Sequence, residues 1–220
     1  MIEFLIRRFI PDWQQVQRTD VRERYGTLAA AVGILSNIFL CIIKGLIGLF
    51  SGSIAVTADA VNNLSDAGSS VITLLAFKIA GKPADEEHPY GHARMEYISG
   101  MAVSFIIILL GLELIGSSFE KILHPEEVGV SALTYLVLIV SIAVKLWQGM
   151  FNRNLGKRIS SEALQATAAD SLNDVFSTGA VLLSTLVYQF TAIPIDGWVG
   201  MLVAIFITVS GVKLIMETGS

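Results

Sequence analysis

Residues 54–66 read Ile54-Ala55-Val56-Thr57-Ala58-Asp59-Ala60-Val61-Asn62-Asn63-Leu64-Ser65-Asp66. The surrounding segment is apolar enough to lie in a bilayer, yet this stretch carries two carboxylates and two carboxamides. Burying one aspartate at membrane depth costs at least ~2.5–3.5 kcal/mol on insertion scales, so such a residue faces a protein interior or a water-filled path. Backbone groups in lipid must satisfy one another, which leaves the α-helix as the form of a run this long. On a helix, Asn62 and Asp66 stand at i and i+4 and share one face. The stretch therefore reads as a membrane helix with its polar side turned inward. The fold class follows: an all-α integral membrane protein.

Composition agrees. The chain has 220 residues, 53% hydrophobic and 15% charged, against roughly 25% charged in soluble domains. Six transmembrane helices are expected, at about 27–50, 54–79, 95–118, 130–150, 162–188 and 192–216, each long enough for a ~30 Å hydrocarbon layer. Residues 1–26 form an N-terminal arm. Its start, Met1 to Trp13, is apolar but short and interrupted by Arg7, Arg8 and Pro11, which suits an amphipathic interfacial segment rather than a span or a cleavable leader. Residues 27–220 make the six-helix domain. The single cysteine, Cys41, excludes a disulfide framework and a cysteine-based metal site.

Positive charge sets the sidedness. Arg7, Arg8, Arg18, Arg22 and Arg24 precede the first span; Lys82 and Arg94 lie in the second connection, and Arg153, Lys157 and Arg158 in the fourth. Only Lys121 lies in a connection on the opposite side. The positive-inside rule then puts both termini in the cytoplasm of a multi-pass cell-membrane protein. Short outer connections, at Gly52-Ser53 and at Ile193-Pro194-Ile195-Asp196, join neighbouring helices as antiparallel pairs.

A second polar stretch, Asp170-Ser171-Leu172-Asn173-Asp174, repeats the arrangement in the fifth span, with Asp170 and Asp174 again at i and i+4. Asn62 and Asp66 lie eight and twelve residues from the outer end of span two, and Asp170 and Asp174 as far from the inner end of span five. At 1.5 Å per residue that is roughly 12–18 Å, near the midplane in both cases. Two such faces turned together make a cage of oxygens. One amide and three carboxylates suit a hard divalent cation such as Mn²⁺, Mg²⁺ or Fe²⁺, whereas Zn²⁺ usually recruits histidine or cysteine. Carboxylates crowded in a low dielectric hold protons when no metal is present, and metal binding expels them. That competition is the minimal physics of metal–proton exchange. Helix adhesion through polar side chains is the plainer use of such residues; two matched pairs at one depth exceed what it needs.

Other intramembrane charges read as structural. Lys44 and Asp59 lie at similar depth and are expected to pair, with Glu113 a candidate to join them. Lys145, close to the inner end of the fourth expected span, is expected to snorkel toward headgroups. In the cytoplasmic connection, Asp85, His88 and His92 form a candidate second metal site, with a solvated turn as the alternative.

Taken together, Ala-Asp-Ala-Val-Asn-Asn-Leu-Ser-Asp, the His-Pro-Tyr-Gly-His loop and Asp-Ser-Leu-Asn-Asp resemble the cation diffusion facilitator family, over the chain from about Tyr25 onward. The resemblance implies six helices per protomer, a homodimer and proton-coupled export of divalent metal from the cytoplasm. It places the family's intramembrane ligands on Asn62, Asp66, Asp170 and Asp174. Zinc-type members carry Asp in place of Asn62 and His in place of Asp170, so the pattern here resembles the manganese-exporting branch. Export of zinc, iron or cobalt is the alternative within the family. Members usually continue into a cytoplasmic domain of ferredoxin-like fold; this sequence reaches only Glu217-Thr218-Gly219-Ser220, so that C-terminal domain is expected to be absent. The partners expected are a divalent metal, the bilayer and a second copy, with no nucleic acid and no resident cofactor. From another class, two facing aspartates could serve an intramembrane aspartyl hydrolase, but the Gly-x-Gly-Asp element of such enzymes is missing.

Overall fold

The computed structural model describes residues 2–80, 93–125, 129 and 131–218. The candidate loop site of Asp85, His88 and His92 lies outside them. Seven helices follow in order: α1 (Ile2–Phe9), α2 (Thr19–Ser51), α3 (Ile54–Ala80), α4 (Ala93–Leu123), α5 (Ala132–Arg158), α6 (Glu162–Thr191) and α7 (Asp196–Thr218). No strand occurs among the described residues. The short α1 precedes six long helices, which match the expected spans in number and order. By length and apolarity alone, three stretches qualify as spans among the described residues: α2, α5 and residues 196–213 of α7. In α3 and α6 the inward polar residues lower the mean hydropathy of helices whose outer faces remain apolar.

Sequence explains where the helices stop. Gly52 takes the left-handed conformation (φ 65°) and its N–H donates to the Gly48 carbonyl, a glycine cap that lets α2 turn straight into α3. Ser131 and Ser161 cap α5 and α6, accepting from the N–H of Thr134 (3.2 Å) and Leu164 (3.3 Å). Each such cap contributes about 1 kcal/mol. At 33 residues, α2 is roughly 50 Å long and exceeds a ~30 Å hydrocarbon layer, so its first turns stand outside it.

Chiefly, α2 packs on α3, α4 on α7, and α5 on α6; α3 also touches α4, α6 and α7, and α2 touches α5. Helix α3 is thus the central element. Close approach depends on missing side chains. A Cβ on Gly48 would stand 2.5 Å from Thr57 Oγ1 and 2.9 Å from its backbone nitrogen, so only glycine fits there. Leu35, Phe39, Ile42, Leu46 and Leu49 of α2 and Ile205, Phe206 and Val209 of α7 point outward, as a lipid-facing surface requires.

Two apolar cores bracket the middle of the bundle. One, toward the α2–α3 and α6–α7 hairpins, contains Val56, Ala58, Leu114, Leu138, Val181, Val203 and Ile207. The other, on the side of the N-terminal arm, contains Ile6, Ile10, Val21, Tyr25, Phe151, Leu155 and Leu164. The arm itself is docked: Ile6 and Ile10 are buried, Tyr25 donates to the Trp13 carbonyl (3.0 Å), and Arg158 pairs with Glu3. On the hairpin side, Asp196 accepts from the Ser53 hydroxyl (2.5 Å) and the Ile54 N–H (2.8 Å), with Lys121 at 3.5 Å. One buried carboxylate thereby ties the start of α3, the end of α4 and the start of α7 together.

Candidate metal site

Between the two cores lies a polar layer, built from side chains that recur at helical spacing. Helix α3 contributes Asp59, Asn62, Asp66 and Ser70; α6 contributes Thr167, Ser171, Asp174 and Thr178; α5 contributes Ser141, Lys145, Gln148 and Asn152; α2 contributes Asn37 and Lys44. Steps of three, four or seven residues keep each set on one helix face. Lys44, Lys145, Asp59, Asn62, Asp174, Gln148 and Asn152 are each at most 2% exposed. Burial of this much polarity is tolerable only where groups find partners.

Three of the expected four, Asp66, Asp170 and Asp174, line one cavity here, and the fourth, Asn62, bonds to one of them. Asn62 Nδ2 donates to Asp174 Oδ1 at 2.8 Å, joining α3 to α6. Asp66 is partly buried, accepts a long hydrogen bond from Asn63 (3.4 Å), and lines one cavity with Asp170 and Asp174. Asp170 is exposed at the mouth of that cavity. The cavity holds about 40 Å³ and is lined further by Asn37, Ser69, Ser70, Gln148, Thr167 and Ser171. That is room for an ion with very few waters, since one water needs on the order of 10–15 Å³ measured this way. A smaller cavity against Ala29, Asn152 and Leu164 shares Ser70 and Thr167 with it and leads toward the arm side. Both polar atoms of the Asn152 amide lack a hydrogen-bond partner among the described residues, so the amide is available to water or an ion.

Lys145 is not at a membrane edge, and the expectation that it snorkels is wrong. It lies thirteen residues from each end of α5, fully buried, with Nζ 2.6 Å from Asp66 Oδ2 and 2.5 Å from Asp174 Oδ2. The expected fourth span ended too early; α5 runs eight residues past 150, which moves Lys145 from its edge to its centre. A signal was present in the spacing Ser141, Lys145, Gln148, Asn152. Among the described residues, no three His, Cys, Asp or Glu side chains converge tightly enough to hold an ion as they stand. The carboxylates converge on the lysine instead.

Nearer the hairpins, Lys44 meets Asp59 at 2.8 Å as expected, and the Thr178 hydroxyl bridges them, accepting from Lys44 (3.1 Å) and donating to Asp59 (3.2 Å). Glu113 does not join them; it is exposed on α4.

Known proteins are similar to this chain. The chain matches the cation efflux transmembrane domain over residues 30–220. It is 34% identical over 176 residues to an uncharacterised transporter of Methanocaldococcus jannaschii, covering 80% of this chain and 62% of that protein. Identity is also 34%, over 179 residues, to the manganese efflux system protein MneS of Bacillus subtilis, covering 79% and 62%. The magnetosome protein MamB of Magnetospirillum gryphiswaldense is 30% identical over 151 residues, covering 69% and 51%. The chain thus spans less than two thirds of the length of these relatives.

Proposed function

This chain belongs to the cation efflux transmembrane domain family, and from that premise we propose that it exports a divalent metal cation, Mn²⁺ foremost, in exchange for protons. The observation that carries the reading is the meeting of Asp66, Asp170 and Asp174 around one small polar cavity in the middle of the bundle. With Lys145 beside them, three carboxylates and one ammonium leave a formal excess of two negative charges. A divalent ion cancels that excess; a monovalent ion does not. Oxygen-only ligands favour Mn²⁺ over Zn²⁺, and one relative bears the name of a manganese efflux protein.

In this reading Asp66, Asp170 and Asp174 are the charged ligands and Asn62 the neutral one. Metal enters past Asp170, Thr167 and Ser70 from the arm side, which the positive charge of the arm places in the cytoplasm. The apolar core beneath the hairpins separates the site from the opposite face. Exchange then requires the helices to rearrange so that the polar layer opens to that face, as in other transporters with a midplane site. Protons that return to the site as the metal leaves supply the coupling. A homodimer in the cell membrane completes the proposal.

The hydrolase alternative fares worse. Its two carboxylates must share a proton, whereas Asp66 and Asp174 share the Lys145 ammonium.

The test is uptake into proteoliposomes across a panel of Mn²⁺, Fe²⁺, Co²⁺, Zn²⁺ and Mg²⁺, with a pH dye inside. The expected result is flux greatest for Mn²⁺ and matched by proton movement the other way. Flux of metal without proton movement would replace the antiporter with a channel.

A further inference from the structure

A set of oxygen ligands for a cation gains nothing from a lysine in its midst, because an ammonium only donates hydrogen bonds and repels the ion. Yet Lys145 reaches from α5 to α3 and α6 at once, placing Nζ within 2.6 Å of Asp66 and 2.5 Å of Asp174. We propose that Lys145 is a tethered surrogate cation: its ammonium occupies the seat between Asp66 and Asp174 when the site is unloaded, and an entering divalent ion displaces it. This rests on the quartet being the metal site and adds the occupant that metal must evict.

Three observations support it. The two carboxylates each direct an Oδ2 oxygen at the same nitrogen, which is how they would meet a metal. Among the described residues no group of three or more His, Cys, Asp or Glu is placed to hold a metal, whereas the ammonium touches both carboxylates. A berth for the displaced group also exists. Asn37 Oδ1, buried and without a hydrogen-bond partner among the described residues, lines the same cavity as Lys145, together with Gln148 one turn further along α5. A compact charge with three rotatable donors on a flexible stem can swing between such positions.

The device has consequences for selectivity and release. Na⁺ or K⁺ brings no more charge than the ammonium it would replace, whereas a divalent ion brings one more, so the lysine sets a threshold that monovalent cations fail. Once the ion starts to leave, the returning ammonium opposes its rebinding. Lys145 is therefore a specificity-determining residue that weakens binding and speeds release.

The experiment compares the full chain with Lys145→Met and Lys145→Arg, titrating purified protein with Mn²⁺ and measuring Mn²⁺ flux in proteoliposomes. Removing a competing charge a few ångströms away is expected to tighten Mn²⁺ binding by about tenfold or more, with KM and kcat both lower than in the unmodified chain. Arginine keeps the charge and grips two carboxylates through a rigid fork, so Lys145→Arg is expected to bind Mn²⁺ more weakly. Unchanged or weaker affinity in Lys145→Met, with binding still abolished by Asp66→Asn, would overturn the proposal while leaving the site intact. Should Lys145→Met not fold, Lys145→Arg decides, and unchanged or tighter binding there overturns it. Mn²⁺ binding that is absent from the unmodified chain and from Lys145→Met, or indifferent to Asp66→Asn, would remove the site and the proposal together.

Discussion

Two buried lysines sit in the same polar layer and do different things. Lys44 faces one carboxylate, Asp59, through a single ion pair bridged by Thr178. The charges cancel and the side chains are almost wholly excluded from solvent. Lys145 faces two carboxylates, with a third, Asp170, on the same cavity. Its charge is outnumbered, and there is space beside it. A balanced pair holds helices together, whereas an unbalanced one beside a cavity has charge and space to offer another cation. Charge count, rather than burial, separates the two clusters.

The comparison can be broken by mutation, and the largest effect belongs to the unbalanced cluster. Asp174→Ala is expected to reduce metal-dependent proton flux in proteoliposomes to that of empty vesicles, because it removes a ligand and the Asn62 bridge together. Lys44→Met tests the other cluster. Leaving Asp59 buried and uncompensated should cost about 3–5 kcal/mol, read as a lower melting temperature in detergent, with metal affinity of the folded fraction unchanged. A changed affinity would show that the two clusters are one. Thr178→Val is milder: loss of one bridging hydroxyl should cost about 1–3 kcal/mol, again visible in thermal unfolding and not in flux.

That Asn62, Asp66 and Asp174 face one another across α3 and α6 was legible, because helical spacing and distance from the span ends locate a side chain in face and level without tertiary information. The pairing of Lys44 with Asp59 was legible for the same reason. Lys145 was not, because hydropathy marks where lipid contact ends and not where a helix ends. Residues 151–158, with Asn152, Arg153 and Asn154, continue α5 beyond the apolar run, and cutting the helix at 150 put Lys145 five residues from its inner end instead of thirteen. Glu113 was misplaced because depth alone does not say which way α4 is rotated. The docking of α1 was out of reach, since Ile6 and Ile10 are buried in an apolar cluster with Tyr25, Phe151 and Leu155, residues that are distant in the chain.

In the proposed mechanism a divalent ion binds between α3 and α6 at Asp66, Asp170 and Asp174. Anomalous scattering at the manganese edge from crystals grown with Mn²⁺ tests it most directly. The expected result is a peak among those three carboxylates, with the Lys145 ammonium moved out of the seat between Asp66 and Asp174. A peak elsewhere, with Lys145 still joined to both carboxylates, would contradict it.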